Sequence, residues 1–334
     1  MRDDARAVVG ERADARRSTT TQVAMLPIQR EVTVRGATQR GIRMVGVDVS
    51  LHPWTWAAPH AGRWVFGTLP DGPEPAAGFR RALAEQGIRE RTIALCVPTR
   101  SVVWETLPGL RGKSQRARKA AVLAAATTLR VSPHETVVSI DQAEDGLMYA
   151  CAERAAVETL MAPWIAAGFK VQVIEPAAIS LLRGVGTAEP SVIVRAGAGE
   201  VEIVAGSMNR LMLARHLPGS WDGREGGLRL EVDATIDTAR KEGAAIQRVL
   251  LSAPADLASL IDAFSGKAAL AALAPEYRLP DTPSWSIAAV SAALWTAGPA
   301  RGTRAPGVSA ASSVLTLLAA IAGHRAHGRA RHAA

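Results

Sequence analysis

Two short passages, far apart in the chain, hold the polar residues best placed for phosphate chemistry. In the first, MVGVDVS at 44–50, an apolar run leads into Asp48 and Ser50. In the second, SVIVRAGAGE at 191–200, a similar run leads into Arg195, Gly197 and Gly199. A strand ending in a small polar turn can aim backbone N–H groups at phosphate oxygens, and a neighbouring carboxylate can orient a divalent cation. Both passages depart from that chemistry. Val49 stands where glycine would permit the left-handed backbone of a phosphate turn. Arg195 stands where a carboxylate is needed, and a guanidinium has donors but no acceptor with which to ligate Mg²⁺. A third position, Ser252 followed by Ala253 and Pro254, ends a further apolar run without the glycines on which a base and ribose could lie. Asp48, Ser50, Arg195, Gly197, Gly199 and Ser252 are therefore read as degenerate nucleotide-loop positions. No catalytic residue and no metal ligand is assigned, and no cofactor is expected. The competing expectation is an ATP-binding protein or kinase in which Arg195 grips phosphate directly.

The remaining chemistry-bearing residues form no constellation. Gly112, Lys113 and Ser114 resemble the end of a P-loop, but Leu107 occupies the place of its first glycine, so the segment reads as a turn with Ser114 capping a helix. His52, His60, His134 and His216 stand alone, and His324, His327 and His332 fall in a charged tail. Cys96 and Cys151 lie in separate apolar runs and read as buried thiols of a reducing compartment. Arg116, Arg118 and Lys119 sit on one predicted helix, within a stretch free of acids between Glu105 and Glu135. They form either a solvated face or a docking surface for an acidic partner or lipid headgroups.

The elements that must position these residues alternate between strand and helix. Strands are predicted at 43–49, 54–58, 63–69 and 92–97, with a helix at 75–86 whose Phe79 and Leu83 share a face. Residues 101–107, 136–141 and 147–151 read as strands around a helix at 114–130, followed by a helix at 153–167. This block, about 101–170, is a small α+β unit inserted into the first half, since 171–174 resumes a strand that leads into another helix. The pattern then restarts, with strands at 191–194, 200–205, 210–216 and 248–252 and helices at 228–242, 254–264 and 284–296. Trp54 and Trp56 alternate onto one strand face, with Trp64 on the adjacent strand; core packing is expected, with an aromatic partner surface as the alternative.

Charge separates body from tails. The net charge is +8, but residues 1–43 carry +4 and residues 301–334 carry +5, so the body is close to neutral. A basic-tailed nucleic-acid binder remains a third expectation, but no specific nucleic-acid partner is assigned, because the positive charge does not belong to the folded body. Residues 305–323 form an uncharged run of 19 residues containing three Ser, one Thr, one Pro and two Gly. That composition is marginal for crossing a membrane and suits a helix in weak contact with a membrane surface or a partner, or else a frayed tail. The opening residues contain no apolar secretory segment.

The order of these features resembles the PilM family of type IV pilus assembly proteins. The resemblance rests on TIALCVPTRS at 92–101, VVWETLP at 102–108, the helix ending LRVSPHETV at 129–137, WIAAGFKV at 164–171, VIEPAA at 173–178 and RVLLSAPADL at 248–257. It implies an α/β fold of actin-like, ribonuclease H-like duplicated lobes. A basic disordered tail would span 1–42, the first lobe with its inserted subdomain 43–189, a shortened second lobe 190–298, and a basic tail with a short apolar helix 299–334. It also implies a cytoplasmic scaffold, peripheral to the bacterial inner membrane, that joins the inner-membrane assembly platform by gripping the tail of a PilN-like bitopic protein. The groove walls would be residues 100–107, the helix at 114–130 and the strand edge near Thr92, with Arg100, Val102, Trp104, Arg116, Arg118 and Lys119 as possible partner-binding residues.

Overall fold

The computed structural model describes residues 30–32, 44–69, 72–110, 114–142, 146–207, 210–219, 225–252, 264, 268–272 and 282–294. The expected helix at 254–264, the turn at 111–113 and the run at 305–323 lie outside the described residues, apart from Phe264.

Two sheets of one topology form the body. The first contains β2 (Val45–Asp48), β3 (Thr55–His60), β4 (Arg63–Thr68), β5 (Thr92–Val97) and β9 (Lys170–Pro176). Their order is β4-β3-β2-β5-β9, with β2, β5 and β9 parallel and β3 and β4 antiparallel. The second contains β10 (Ser191–Ala196), β11 (Glu200–Ser207), β12 (Arg210–Pro218), β13 (Arg248–Ser252) and β14 (Ala268–Leu270), in the order β12-β11-β10-β13-β14. Here too the first three strands are antiparallel and the last three parallel. This repeated order is the duplicated ribonuclease H-like, actin-like architecture. Within the segment expected to be an unstructured tail, β1 (Arg30–Val32) pairs with the outer edge of β4.

The central strands are near-continuous apolar runs because both faces of each sheet are covered. On one face of the first sheet, Trp56, Phe79, Trp164 and Phe169 pack together, with Trp56 and Phe79 centroids 5.6 Å apart. Phe79 belongs to α1 (Pro75–Glu85), which opens on Pro75, a residue suited to the first helical position, and stops before Gly87 at φ 73°. Trp64 and Phe66 face the other side, against α4 (Ala177–Val185) and α6 (Ile287–Leu294). Trp56 and Trp64 are thus buried packing residues, while Trp54, just ahead of β3, is partly buried against the same cluster as Trp56.

The inserted unit is a three-stranded antiparallel sheet of β6 (Val103–Pro108), β8 (Gly146–Glu153) and β7 (Thr136–Gln142), with β8 central. One face packs on α2 (Gln115–Leu129) through Ala117, Ala121 and Ala125, and the other meets α3 (Arg154–Ala166). Ser114 caps α2 by accepting from the Ala117 N–H at 3.2 Å, as its position predicts. Two expected elements change form at their starts. The strand expected from 101 begins with a 3₁₀ turn, Thr99–Ser101, entered from Pro98 at φ −51°. The helix expected at 284–296 opens as a 3₁₀ turn at Ser284–Ser286 before α6. The helix expected from 228 is α5 (Glu225–Lys241), which takes Gly226 and Gly227 into its first turn, where N–H groups have no helical partner in any case.

Candidate functional site

The carboxyl ends of β2 and β10 face each other between the lobes, the place where open α/β sheets receive ligands. Register fixes what meets there. Asp48 closes β2 opposite Cys96, and Arg195 lies opposite Glu202 on β11 and Ser252 on β13. Asp48, Ser50, Arg195 and Glu202 are all at least 95% buried. The Arg195 guanidinium donates to the Glu202 carboxylate at 2.8 Å, to the Ser50 hydroxyl at 2.8 Å and to the Asp48 carboxylate. Burial alone would favour the neutral form of Arg195, but the adjacent Asp48 and Glu202 carboxylates reverse that and raise its pKa above the ordinary arginine value. The cation is fixed in the charged state.

The turn N–H groups are engaged as well. Ser50 N–H donates to Asp48 Oδ1 at 3.0 Å, and Val49 N–H to the Cys96 carbonyl at 2.9 Å. In the second turn Gly197 N–H donates to the Glu200 carbonyl at 2.9 Å, and Ala198 N–H reaches across the cleft to the His52 carbonyl at 2.7 Å. A Cβ on Gly197 would lie 2.5 Å from that same His52 oxygen, so glycine here serves the approach of one turn to the other. Gly199 has open space around it, and Ser252 donates to the Ser284 carbonyl at 2.8 Å. The donors that phosphate would need are bonded within the protein, and a guanidinium fills the space between the carboxylates that would hold a metal. Mg-nucleotide does not fit this arrangement. Among the described residues no cluster of three or more His, Cys, Asp or Glu is placed to hold a metal ion.

Glu202 is the site residue that sequence reasoning missed. The signal was available: a hairpin turning at 197–199 sets Arg195 opposite Glu202, and a charged residue in an apolar strand demands a partner.

The partner-binding candidates separate into two groups. Arg100, Val102 and Trp104 line a cavity of about 300 Å³ between β6 and β12, together with Arg215 and His216. Arg100 bonds the His216 ring, and both approach Glu200, at 3.4 Å from Arg100 and 3.2 Å from His216. Val102 also lines a second cavity of about 100 Å³, between the first lobe and the inserted unit, whose walls include Val97, Ala150, Ala152, Leu160 and Ile174. Arg116, Arg118 and Lys119 are exposed on α2 and line neither cavity. Since α2 covers the opposite face of the inserted sheet from Ala150 and Ala152, the helix is not a wall of the apolar groove. Thr92 is likewise at the far end of β5 from Val97.

No family model and no curated protein matches the chain. Among solved structures, a PilM–PilN type IV pilus biogenesis complex is similar with a TM-score of 0.59 at 13% identity, covering 77% of this chain and 99% of that one. The cytoplasmic domain of EpsL, an inner-membrane component of the type II secretion system of Vibrio cholerae, aligns with a TM-score of 0.46 at 12% identity, covering 63% of this chain and 82% of that one. A Bacteroides thetaiotaomicron protein with an actin-like ATPase fold aligns at 0.39 and 8% identity over 70% of this chain and 93% of that one. The first similarity establishes the actin-like fold.

Proposed function

We propose that the chain is a non-catalytic scaffold for assembly of a type IV pilus or a related secretion or competence machine. It holds the cytoplasmic tail of a PilN-like bitopic protein and so sits on the cytoplasmic side of the inner membrane. The observation that carries this proposal is the apolar groove between the first lobe and the inserted unit, lined by Val97, Val102, Ala150, Ala152 and Leu160. An extended peptide can seat alternate apolar side chains in such a groove while its backbone pairs with a strand edge. β6 offers that edge, since among the described strands it pairs only with β8. The similar fold of a PilM–PilN complex supports the choice of partner class. No described helix is long and apolar enough to cross a membrane.

The test is titration calorimetry with a synthetic peptide matching the cytoplasmic tail of a PilN-like bitopic protein from the same organism. Ala156 is exposed at the groove mouth, so Ala156→Trp narrows the groove without touching the core. Binding is expected to weaken roughly tenfold or more, at about 1.4 kcal/mol per decade. Unchanged affinity in this variant would remove the groove from the assignment.

A further inference from the structure

The disagreement between this cleft and a metal-bound nucleotide points to what Arg195 does. Two carboxylates from different lobes, Asp48 on β2 and Glu202 on β11, converge with the Ser50 hydroxyl on one point. That is an all-oxygen set of the kind that surrounds a hard cation. In this chain the cation is covalently part of β10. The set is also closed: Ser50 Oγ donates to Asp48 Oδ1 at 2.5 Å while accepting from Arg195, so the hydroxyl is used in both directions.

We infer that Arg195 is a built-in replacement for an exchangeable cation and its anionic ligand, and that it holds the two lobes in one closed arrangement without nucleotide. Three features of the cleft favour this over a buried structural ion pair that happens to lie there. The network is interlobe, joining residues 145 and 147 positions apart in the chain. It sits where the carboxyl ends of both parallel strand sets meet, which is the ligand position of the fold rather than an arbitrary packing surface. And the turns touch directly, through Ala198 N–H on the His52 carbonyl and through the approach that Gly197 permits, so closure does not wait for a ligand to bridge them. An equilibrium between open and closed lobes driven by ligand requires a ligand with different affinity for the two states. Here the bridging charge cannot leave.

The inference goes beyond the scaffold assignment and does not depend on the peptide groove, so the two fail separately. Wild-type protein answers its first part. With Mg-ATP or Mg-ADP at millimolar concentration, the thermal midpoint is expected to stay where it is; a midpoint rising with nucleotide concentration would overturn the inference, because binding to the native state must stabilise it. Arg195→Ala answers the second part. It leaves Asp48 and Glu202 facing each other around a void, and its thermal midpoint should fall and then recover in part on adding millimolar guanidinium ion or Mg²⁺, neither of which should raise the wild-type midpoint. An Arg195→Ala variant as stable as wild type, or one that no cation rescues, would overturn it. Should Arg195→Ala fail to fold, the charge-free triple variant Asp48→Asn, Arg195→Met, Glu202→Gln separates packing from the charge network. Amide exchange at 49–52 and 196–199 should then be faster than in wild type, and equal protection would defeat the inference.

Discussion

Glu175 shows what a charge requires in order to stay inside this molecule. Its side chain is fully buried, and Arg183 answers it with two bonds, 2.9 and 2.6 Å long, while also donating to the hydroxyl and carbonyl of Ser291. Arg183→Met should therefore cost about 3–5 kcal/mol, the usual penalty for stranding a buried partner, read as a lower urea midpoint. The thiols report burial differently. Burial, with the carboxylates of Asp48 and Glu175 adding to it, pushes Cys96 well above its ordinary range, and burial with Glu105 takes Cys151 to about 11. Both should resist iodoacetamide at neutral pH in native protein and react after unfolding, which mass spectrometry would resolve. Tyr149, buried and donating to Glu105 at 2.5 Å, is raised from 10.0 to about 12. Between those values the unfolded chain releases the phenolic proton while the folded protein keeps it, so stability falls as pH rises through that window. Tyr149→Phe should lose less stability over the same window than wild type, in urea unfolding measured at each pH. At this scale the sequence was half legible: Arg195 was recognisable as incompatible with metal, but its bonds to Asp48 and Ser50 join strands whose proximity only the folded lobes create.

Among the elements, α6 carries an arrangement that no pattern announced. Apart from Ser291 its residues are apolar on every side, which says that the helix is buried but not against what. In the structure it leaves the second half of the chain and packs on β2, β5 and α4 of the first lobe, and Gly46 makes room for it: a Cβ there would fall on the Ala289 carbonyl. Gly46→Val should be among the most damaging single changes, because the obstacle is the backbone of α6, which cannot rotate away; it should cost at least the 1–3 kcal/mol typical of overpacking, visible as a loss of soluble folded protein. The basic face of α2 behaves oppositely. Arg116, Arg118 and Lys119 are exposed, so replacing all three with Gln should change stability by no more than about 0.5 kcal/mol per site. The same triple variant should sediment less with anionic vesicles than wild type, and equal sedimentation would return that face to solvent. Strand and helix positions were readable because alternation and apolar runs survive locally, as at 92–97 and 75–85. The 3₁₀ turns, the short β14 and the docking of α6 were not, since each depends on tertiary contacts.

On the scale of the whole molecule, the question is whether two lobes and an inserted unit behave as one body. The ties between the lobes are buried and of different kinds. The Arg195 network closes the cleft, and Ala198 N–H bonds the opposing turn. α6 lies against the first-lobe sheet, with its Ala288 carbonyl accepting from Ser180 at 2.9 Å and its Ser291 held by Arg183. A lobe that unfolded alone would leave Asp48 without Arg195, or Arg195 with only one of its two carboxylates, and expose the apolar faces of α4 and α6, so partial unfolding is penalised from either side. Calorimetry should accordingly show one transition for both lobes, with calorimetric and van't Hoff enthalpies in agreement. Because these ties are buried, raising sodium chloride to about 0.5 M should leave the transition single, whereas surface ion pairs alone would be screened at that strength. Two resolved transitions at low salt would mean that the lobes are independent and that the buried cation does not join them.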